Sequence, residues 1–307
     1  MSEYHIPVLL KESIDALEVK SDGVYVDATF GGGGHSRGIL SRLGSKGRLI
    51  AFDKDTEALA NAPQDDRLIL VHNNFRFIHN FVRYNGFDKV DGILADLGVS
   101  SHQFDTSERG FSFRFDAPLD MRMNTSAHLT AARVVNGYER KDLERILRLY
   151  GEVEGSGRAA ALICKAREEK EIATTGDLCK ALESILPKIA EHKYLARIFQ
   201  ALRIEVNGEL SDLEHFMGGA IRSLKPGGKL AVITYHSLED RIVKNFIKAG
   251  NAEGYIEKDL MGRGESPLEQ VVRKPVLPSE EEISANTRAR SAKLRIAVRK
   301  DMKEAAV

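Results

Sequence analysis

Short apolar runs alternate with helix-period segments along the first hundred residues. Val24-Tyr25-Val26 is a run of strand formers, and a helical pattern follows from His35 to Leu43. Arg48-Leu49-Ile50-Ala51-Phe52 reads as a second strand, with a helix near Thr56 to Asn61. Leu68-Ile69-Leu70-Val71 is a third. Phe75, Ile78, Phe81 and Val82 then recur at helical spacing, and Val90 to Leu94 is a fourth strand. Strands alternating with helices predict βαβ units, hence a parallel sheet with helices on both faces and right-handed crossovers.

After Asp96 the pattern changes. Residues 97 to 130 show no clear period, and Lys141 to Leu224 reads almost wholly helical. Leu195, Phe199, Leu202, Val206, Leu210, Leu213, Met217, Ala220 and Leu224 form one apolar stripe, read as plain core. Asn207-Gly208 marks a break between two helices. The α/β pattern then returns: a turn at Lys225-Pro226-Gly227-Gly228, a strand from Lys229 to Tyr235, and a helix near Leu238 to Ala249. Residues 251 to 287 look loop-rich, and Lys293 to Val298 is a last strand. The expected organisation is one α/β domain, residues 1–104 and 208–307, interrupted by a helical insert at 105–207.

Composition narrows the class. The 307 residues are 42% hydrophobic and 29% charged, a globular balance that excludes wholesale disorder. No stretch approaches the ~20 apolar residues that span a bilayer. Met1 to His5 lacks a signal-peptide plan, and the two cysteines, Cys164 and Cys179, lack metal-ligand spacing. A cytoplasmic location is expected, with no membrane and no protein partner. Lys+Arg and Asp+Glu are both 45, which excludes coating of nucleic acid by bulk charge. A local patch stays open. Arg288, Arg290, Lys293, Arg295, Arg299 and Lys300 lie in a stretch without acids, suited to a solvated strand or to a nucleic-acid contact.

The sharpest local signal is Val26-Asp27-Ala28-Thr29-Phe30-Gly31-Gly32-Gly33-Gly34-His35, a strand running through four glycines into a helix. Glycine admits close backbone approach and positive φ, and a helix start offers N–H groups. Asp53 ends the next strand, where a carboxylate can accept from both ribose hydroxyls. These residues in order predict an adenosine-containing ligand, either a dinucleotide or S-adenosylmethionine. The G-x-G-x-x-G register would need glycine at Ser36 or Arg37, so the dinucleotide fingerprint is imperfect. Leu224-Lys225-Pro226-Gly227-Gly228-Lys229-Leu230 resembles the turn before the fifth strand of class I methyltransferases, which favours the methyl donor. Asp96, at the tip of the fourth strand, stands where donor and acceptor would meet. Leu97-Gly98-Val99 follows it instead of the Pro-Pro-aromatic clamp of many amino-methylating enzymes.

With these stretches the sequence resembles the bacterial 16S ribosomal RNA (cytosine-N4) methyltransferase family. The matching segments are His5 to Leu10, Asp27 to Ser36, Asp91 to Gln103, Arg109 to Phe113, Pro118 to Met123, Phe199 to Asn207, Tyr235 to Arg241 and Arg288 to Arg295. Two departures stand out. His192-Lys193-Tyr194-Leu195-Ala196-Arg197 replaces a His-Pro-Ala-Thr-Arg run, and Tyr235 stands where Phe is common, which puts local substrate contacts in doubt.

The resemblance implies a class I methyltransferase fold, a Rossmann-like and mostly parallel sheet with a helical insert domain. It implies S-adenosylmethionine as cofactor and 16S rRNA of the small ribosomal subunit as substrate. Gly33, Gly34 and His35 match the donor-binding Gly-Gly-His, Asp53 the ribose-binding acid, and Phe75 an adenine-pocket residue. Asp96 and Gln103 match further donor contacts. From the residues alone, Phe75 reads as ordinary helix core. Asp96 is the candidate catalytic residue, orienting the amine or taking its proton; contact with the donor alone is the other reading. Arg109, Phe111 and Arg122, with Phe113, Arg114 and Phe115, form a run able to clamp RNA, or else a packed edge with solvated arginines. Arg197, Gln200 and Asn207 lie opposite the apolar stripe, which suggests a polar, RNA-facing side. His236 is expected to line the active site. Its neighbours Ser237, Glu239 and Asp240 invite a hydrolase reading, which adjacency along the chain argues against. No metal site is expected. A methyltransferase acting on DNA, another RNA or protein, a non-catalytic RNA-assembly factor and, more distantly, a dehydrogenase are the other functions weighed.

Overall fold

The computed structural model describes residues 7–60, 62–100, 103–104, 106–256, 258 and 264–302. Its strands are β1 Val24–Asp27, β2 Arg48–Asp53, β3 Leu68–His72, β4 Val90–Asp96, β5 Leu224–Thr234, β6 Leu268–Gln270 and β7 Lys293–Arg299. They form one sheet in the order β3-β2-β1-β4-β5-β7-β6. β1 to β5 run parallel, and β7 is antiparallel to both β5 and β6. This is the class I methyltransferase sheet.

β4 sits at the centre because it can be buried on both faces. Val90, Ile93, Leu94 and Ala95 are all at 0% exposure, as a continuous apolar run requires. Successive residues serve opposite faces. Val26, Ile93 and Val232 join one core with Phe216 and Met217. Tyr25, Leu94, Ala231 and Ile233 join the other with Ile39 and Leu294.

The chain divides into two compact units. One runs up to Gly98 and resumes at Leu210; the other is Val99–Glu209. The second unit is helical and has its own core, which includes Leu143, Ile146, Ile163, Leu178, Ile198 and Leu202. The apolar stripe read as one buried face is therefore shared between two cores. Leu195, Phe199, Leu202 and Val206 serve the helical core, while Leu213, Met217, Ala220 and Leu224 serve the sheet. Gly208 makes the division. It ends the helix Glu191–Asn207 in the left-handed conformation, φ 62°, before the helix Glu209–Ser223 begins.

Two stretches differ from expectation. The turn at Lys225 to Gly228 lies within β5, whose first residue pairs with Val90 across an irregular register. The loop-rich stretch holds β6 and a helix, Glu280–Ala285. β6 has three residues and owes its form to pairing with β7, so no pattern of its own announces it. Among the described residues no helix is long and apolar enough to cross a membrane.

Candidate active site

β1 lies between β2 and β4, and the chain reverses its strand order there. That switch point opens a crevice beyond the carboxyl ends of the strands. Asp27 ends β1 fully buried. Its Oδ1 accepts the Thr29 N–H at 3.0 Å and its Oδ2 the Ser36 hydroxyl at 2.6 Å. The Thr29 hydroxyl accepts the Asp96 N–H at 2.6 Å. Three polar residues of the glycine motif thus build the loop and tie it to the end of β4. Burial pushes the Asp27 carboxyl up, and the nearby His35 opposes the shift.

The four glycines are not equivalent. Gly31 and Gly33 have φ of 51° and 73°, the left-handed region that disfavours a side chain. A Cβ on Gly33 would lie 2.7 Å from the Phe30 ring, and one on Gly34 would lie 2.0 Å from Pro7 Cγ. A Cβ on Gly32 would meet nothing within 4 Å. The fold itself therefore leaves room for a side chain at Gly32. An open, side-chain-free backbone there suits close approach of a ligand.

Asp53 ends β2 on the same side of the sheet. Its Oδ2 accepts the Gly31 N–H at 2.8 Å and its Oδ1 the Asp55 N–H at 2.9 Å. A carboxylate oxygen can accept twice, so both oxygens retain capacity for a vicinal diol. Burial raises the proton affinity of Asp53, and the two amides hold it down. Phe75 lies in a 3₁₀ turn, Phe75–Phe77, just after β3. It is half-buried, edge-on to Phe216 at 5.2 Å, and packs on the sheet core. These residues fit an adenosine ligand: a carboxylate for the diol, an aromatic surface, and a bare loop between them.

Asp96 ends β4 with its side chain 22% exposed. The Tyr235 hydroxyl donates to its Oδ1 at 2.7 Å. His35 Nδ1 stands 3.8 Å from its Oδ2. Burial pushes the Asp96 carboxyl up to about 6, against the pull of His35 and the Tyr235 hydrogen bond. A carboxyl poised there can take or give a proton near neutrality. The Tyr235 phenol is pushed well above its ordinary value by burial and by Asp96, so it stays a donor. The departure at this position is thus a hydroxyl in contact with Asp96. His236 caps the helix Ser237–Ala249: its Nδ1 accepts the Glu239 N–H at 3.4 Å, and the Glu239 carboxylate accepts the Tyr235 N–H at 2.8 Å. Asp240 is held by Arg295 through contacts of 2.7 and 3.0 Å, which removes it as an acid for the hydrolase reading. The same pair draws Arg295 out of the basic stretch and into the fold.

The expectation that Arg109 and Phe111 face RNA is overturned. Both are buried, at 8% and 5% exposure. Arg109 Nη2 donates to the carbonyls of Arg122 and Met123, and Phe111 joins the helical core. Arg122 is also committed: Asp120 takes Nε and Nη2, and the Thr125 and Ala127 carbonyls take Nη1. A segment without period in sequence is thus a loop organised by its own arginines. Asn207 belongs to the same work, accepting the Met123 N–H and donating to the Met121 carbonyl, both at 2.8 Å. It pins Met121, whose φ is 61°. Gln200 donates to the Tyr150 carbonyl. Gln103 is buried in the helical unit, where its side-chain oxygen accepts the Ser100 N–H at 3.2 Å. Arg197 lines a cavity of about 450 Å³ with Arg158, Lys193, Tyr194, Ile185 and Glu154.

The model of the MraW methylase family matches residues 2–300. A protein of Bacteroides fragilis named ribosomal RNA small subunit methyltransferase H is 55% identical over 297 residues, 97% of this chain and 98% of that one. Proteins of the same name from Parabacteroides distasonis and Flavobacterium johnsoniae are 54% and 55% identical over 295 residues, 96% of this chain and 97% of each.

Proposed function

Since the chain belongs to the MraW methylase family, we propose that it transfers a methyl group from S-adenosylmethionine to N4 of a cytidine in 16S rRNA of the small ribosomal subunit, in the cytoplasm. The single observation that carries the chemistry is Asp96, a partly open carboxyl shifted to about 6 at the switch point of a methyltransferase sheet.

The donor supplies an already electrophilic methyl group, so the chain's own work is positioning and proton handling. Gly33, Gly34 and His35, with Asp53 and Phe75, hold the donor. A cytosine amine has its lone pair drawn into the ring. The Asp96 carboxylate accepts a hydrogen bond from that N–H, which localises the lone pair on nitrogen. As the new C–N bond forms, the methyl–sulfur bond breaks and the donor leaves as a neutral thioether, while the proton lost by the amine passes to Asp96 and from it to water. His236 sits one residue beyond Tyr235 and lines the same end of the sheet.

Substrate RNA is read by the helical unit. Arg158, Lys193 and Arg197 converge on one cavity against a single carboxylate, Glu154, with Tyr194 and Ile185 as apolar walls. That combination suits an unpaired nucleotide, its phosphate on the cations and its base on the aromatic surface. Arg114 and Phe115, both exposed, keep the RNA-facing role that Arg109 and Phe111 lose.

The test is incubation with methyl-labelled donor and four acceptors: small subunits, naked 16S RNA, duplex DNA and bulk protein. N4-methylcytidine in digested rRNA is the expected product. Label confined to DNA or protein, or donor bound with no label anywhere, overturns the proposal.

A further inference from the structure

We infer that Tyr235 is a positioning residue for the transfer, acting through Asp96; this rests on the proton-handling role proposed above. Tyr235 follows the last residue of β5, and Ile233 of that strand pairs with Asp96 of β4. Two strand ends in register thus bring a hydroxyl and a carboxylate together across 139 positions of sequence. The tyrosine is itself anchored. Its N–H donates to Glu239, and its ring packs on the sheet core and lies beside Gly98.

Three groups then define the Asp96 carboxylate. Its backbone N–H is held by the Thr29 hydroxyl, its Oδ1 by the Tyr235 hydroxyl, and its Oδ2 faces His35 beyond hydrogen-bond distance. Tyr235 therefore occupies one oxygen and leaves the other to meet an amine. A hydrogen bond to the ionised form also lowers the proton affinity of the group that accepts it. The acidic and basic groups acting on Asp96 are His35, which lowers its proton affinity, and Asp27 and Glu239, which raise it. Tyr235 adds the pull that keeps the carboxylate ionised at neutral pH.

The experiment is the pH profile of single-turnover transfer to small subunits by the wild type and by Tyr235→Phe, which removes only the hydroxyl. The acid limb of the variant should move up by about one pH unit, equivalent to about 1.4 kcal/mol. Its rate at pH about 6.5 should fall about threefold and recover at high pH. KM for donor and for particles should stay within about twofold, because the effect lies on the acceptor nitrogen in the transition state. A parallel ¹³C titration of Asp96 in donor-free protein should show the same upward shift. An unmoved acid limb overturns the inference, as does a loss equal at every pH accompanied by a lower Tm. If wild-type protein transfers nothing, the functional reading fails instead, and the carboxyl titration still reports whether Tyr235 controls Asp96.

Discussion

His35 Nδ1 lies 3.8 Å from Asp96 Oδ2, while its Nε2 lies 3.1 Å from the Val8 carbonyl oxygen. A carbonyl can only accept, so Nε2 carries the hydrogen. A neutral ring then turns a lone pair toward Asp96, and two lone pairs repel. The arrangement is relieved when a proton sits on Nδ1 or on the carboxyl. A proton on Nδ1 makes the ring a cation, and a cation there lowers the proton affinity of Asp96.

Replacing His35 with Gln should raise the Asp96 titration midpoint above its position near 6, because the pull of the imidazole is lost. Carbon-13 NMR of the aspartate carboxyls in donor-free protein measures this directly. A midpoint that stays or falls would mean that the ring exerts no such pull.

Asp96→Asn should make the donor-free protein more stable at neutral pH. The folded carboxyl titrates near 6, above its ordinary value, so the charged form is disfavoured by folding. Wild-type stability from this group is full below about pH 4 and is lost as pH rises through about 6. The variant's advantage should grow across that window by on the order of 2 kcal/mol. Urea unfolding at several pH values reads it, and the same variant should lose methyl transfer.

Asp53→Ala should weaken donor binding by about 100-fold, the loss of two hydrogen bonds to a charged acceptor. Calorimetric titration with S-adenosylmethionine gives the value. Because Asp53 also accepts the Gly31 and Asp55 amides, Tm should be recorded beside it.

Removing the charges of Arg158, Lys193 and Arg197 together should leave the fold intact, since all three line an open cavity. The slope of log affinity for 16S RNA against log salt should become shallower by about 2, at roughly 0.7 per single-strand phosphate contact. An unchanged slope would remove this cavity from the RNA-binding surface.

Arg109→Met should behave in the opposite way. It leaves two buried carbonyls without their charged donor, so stability should fall by about 2 kcal/mol. RNA affinity measured on the folded fraction should be unchanged. Loss of RNA binding at full stability would restore an RNA-facing arginine.

Five parallel strands and the last antiparallel one were readable because each is a compact apolar run bounded by turn formers. Asp53 and Asp96 were readable for the same reason. A charged residue that ends a buried strand marks its carboxyl end, where ligands of such sheets bind. β6 was not readable, because a three-residue edge strand is made by its neighbour. Arg109 and Phe111 were misread because a segment without period looks like exposed loop until its carbonyls are seen to need a donor.

Local order along the chain thus determined the sheet, the glycine loop, the acid that follows it and the helical character of the middle. Those features depend on neighbours a few residues apart and on which faces must leave water. Only the tertiary structure decided that one apolar stripe serves two cores, that Asp27 and Ser36 build the loop, and that Tyr235 holds Asp96. Each of these depends on which strand ends and side chains come together. That proximity arises from how the elements pack, which the order of residues along the chain does not show.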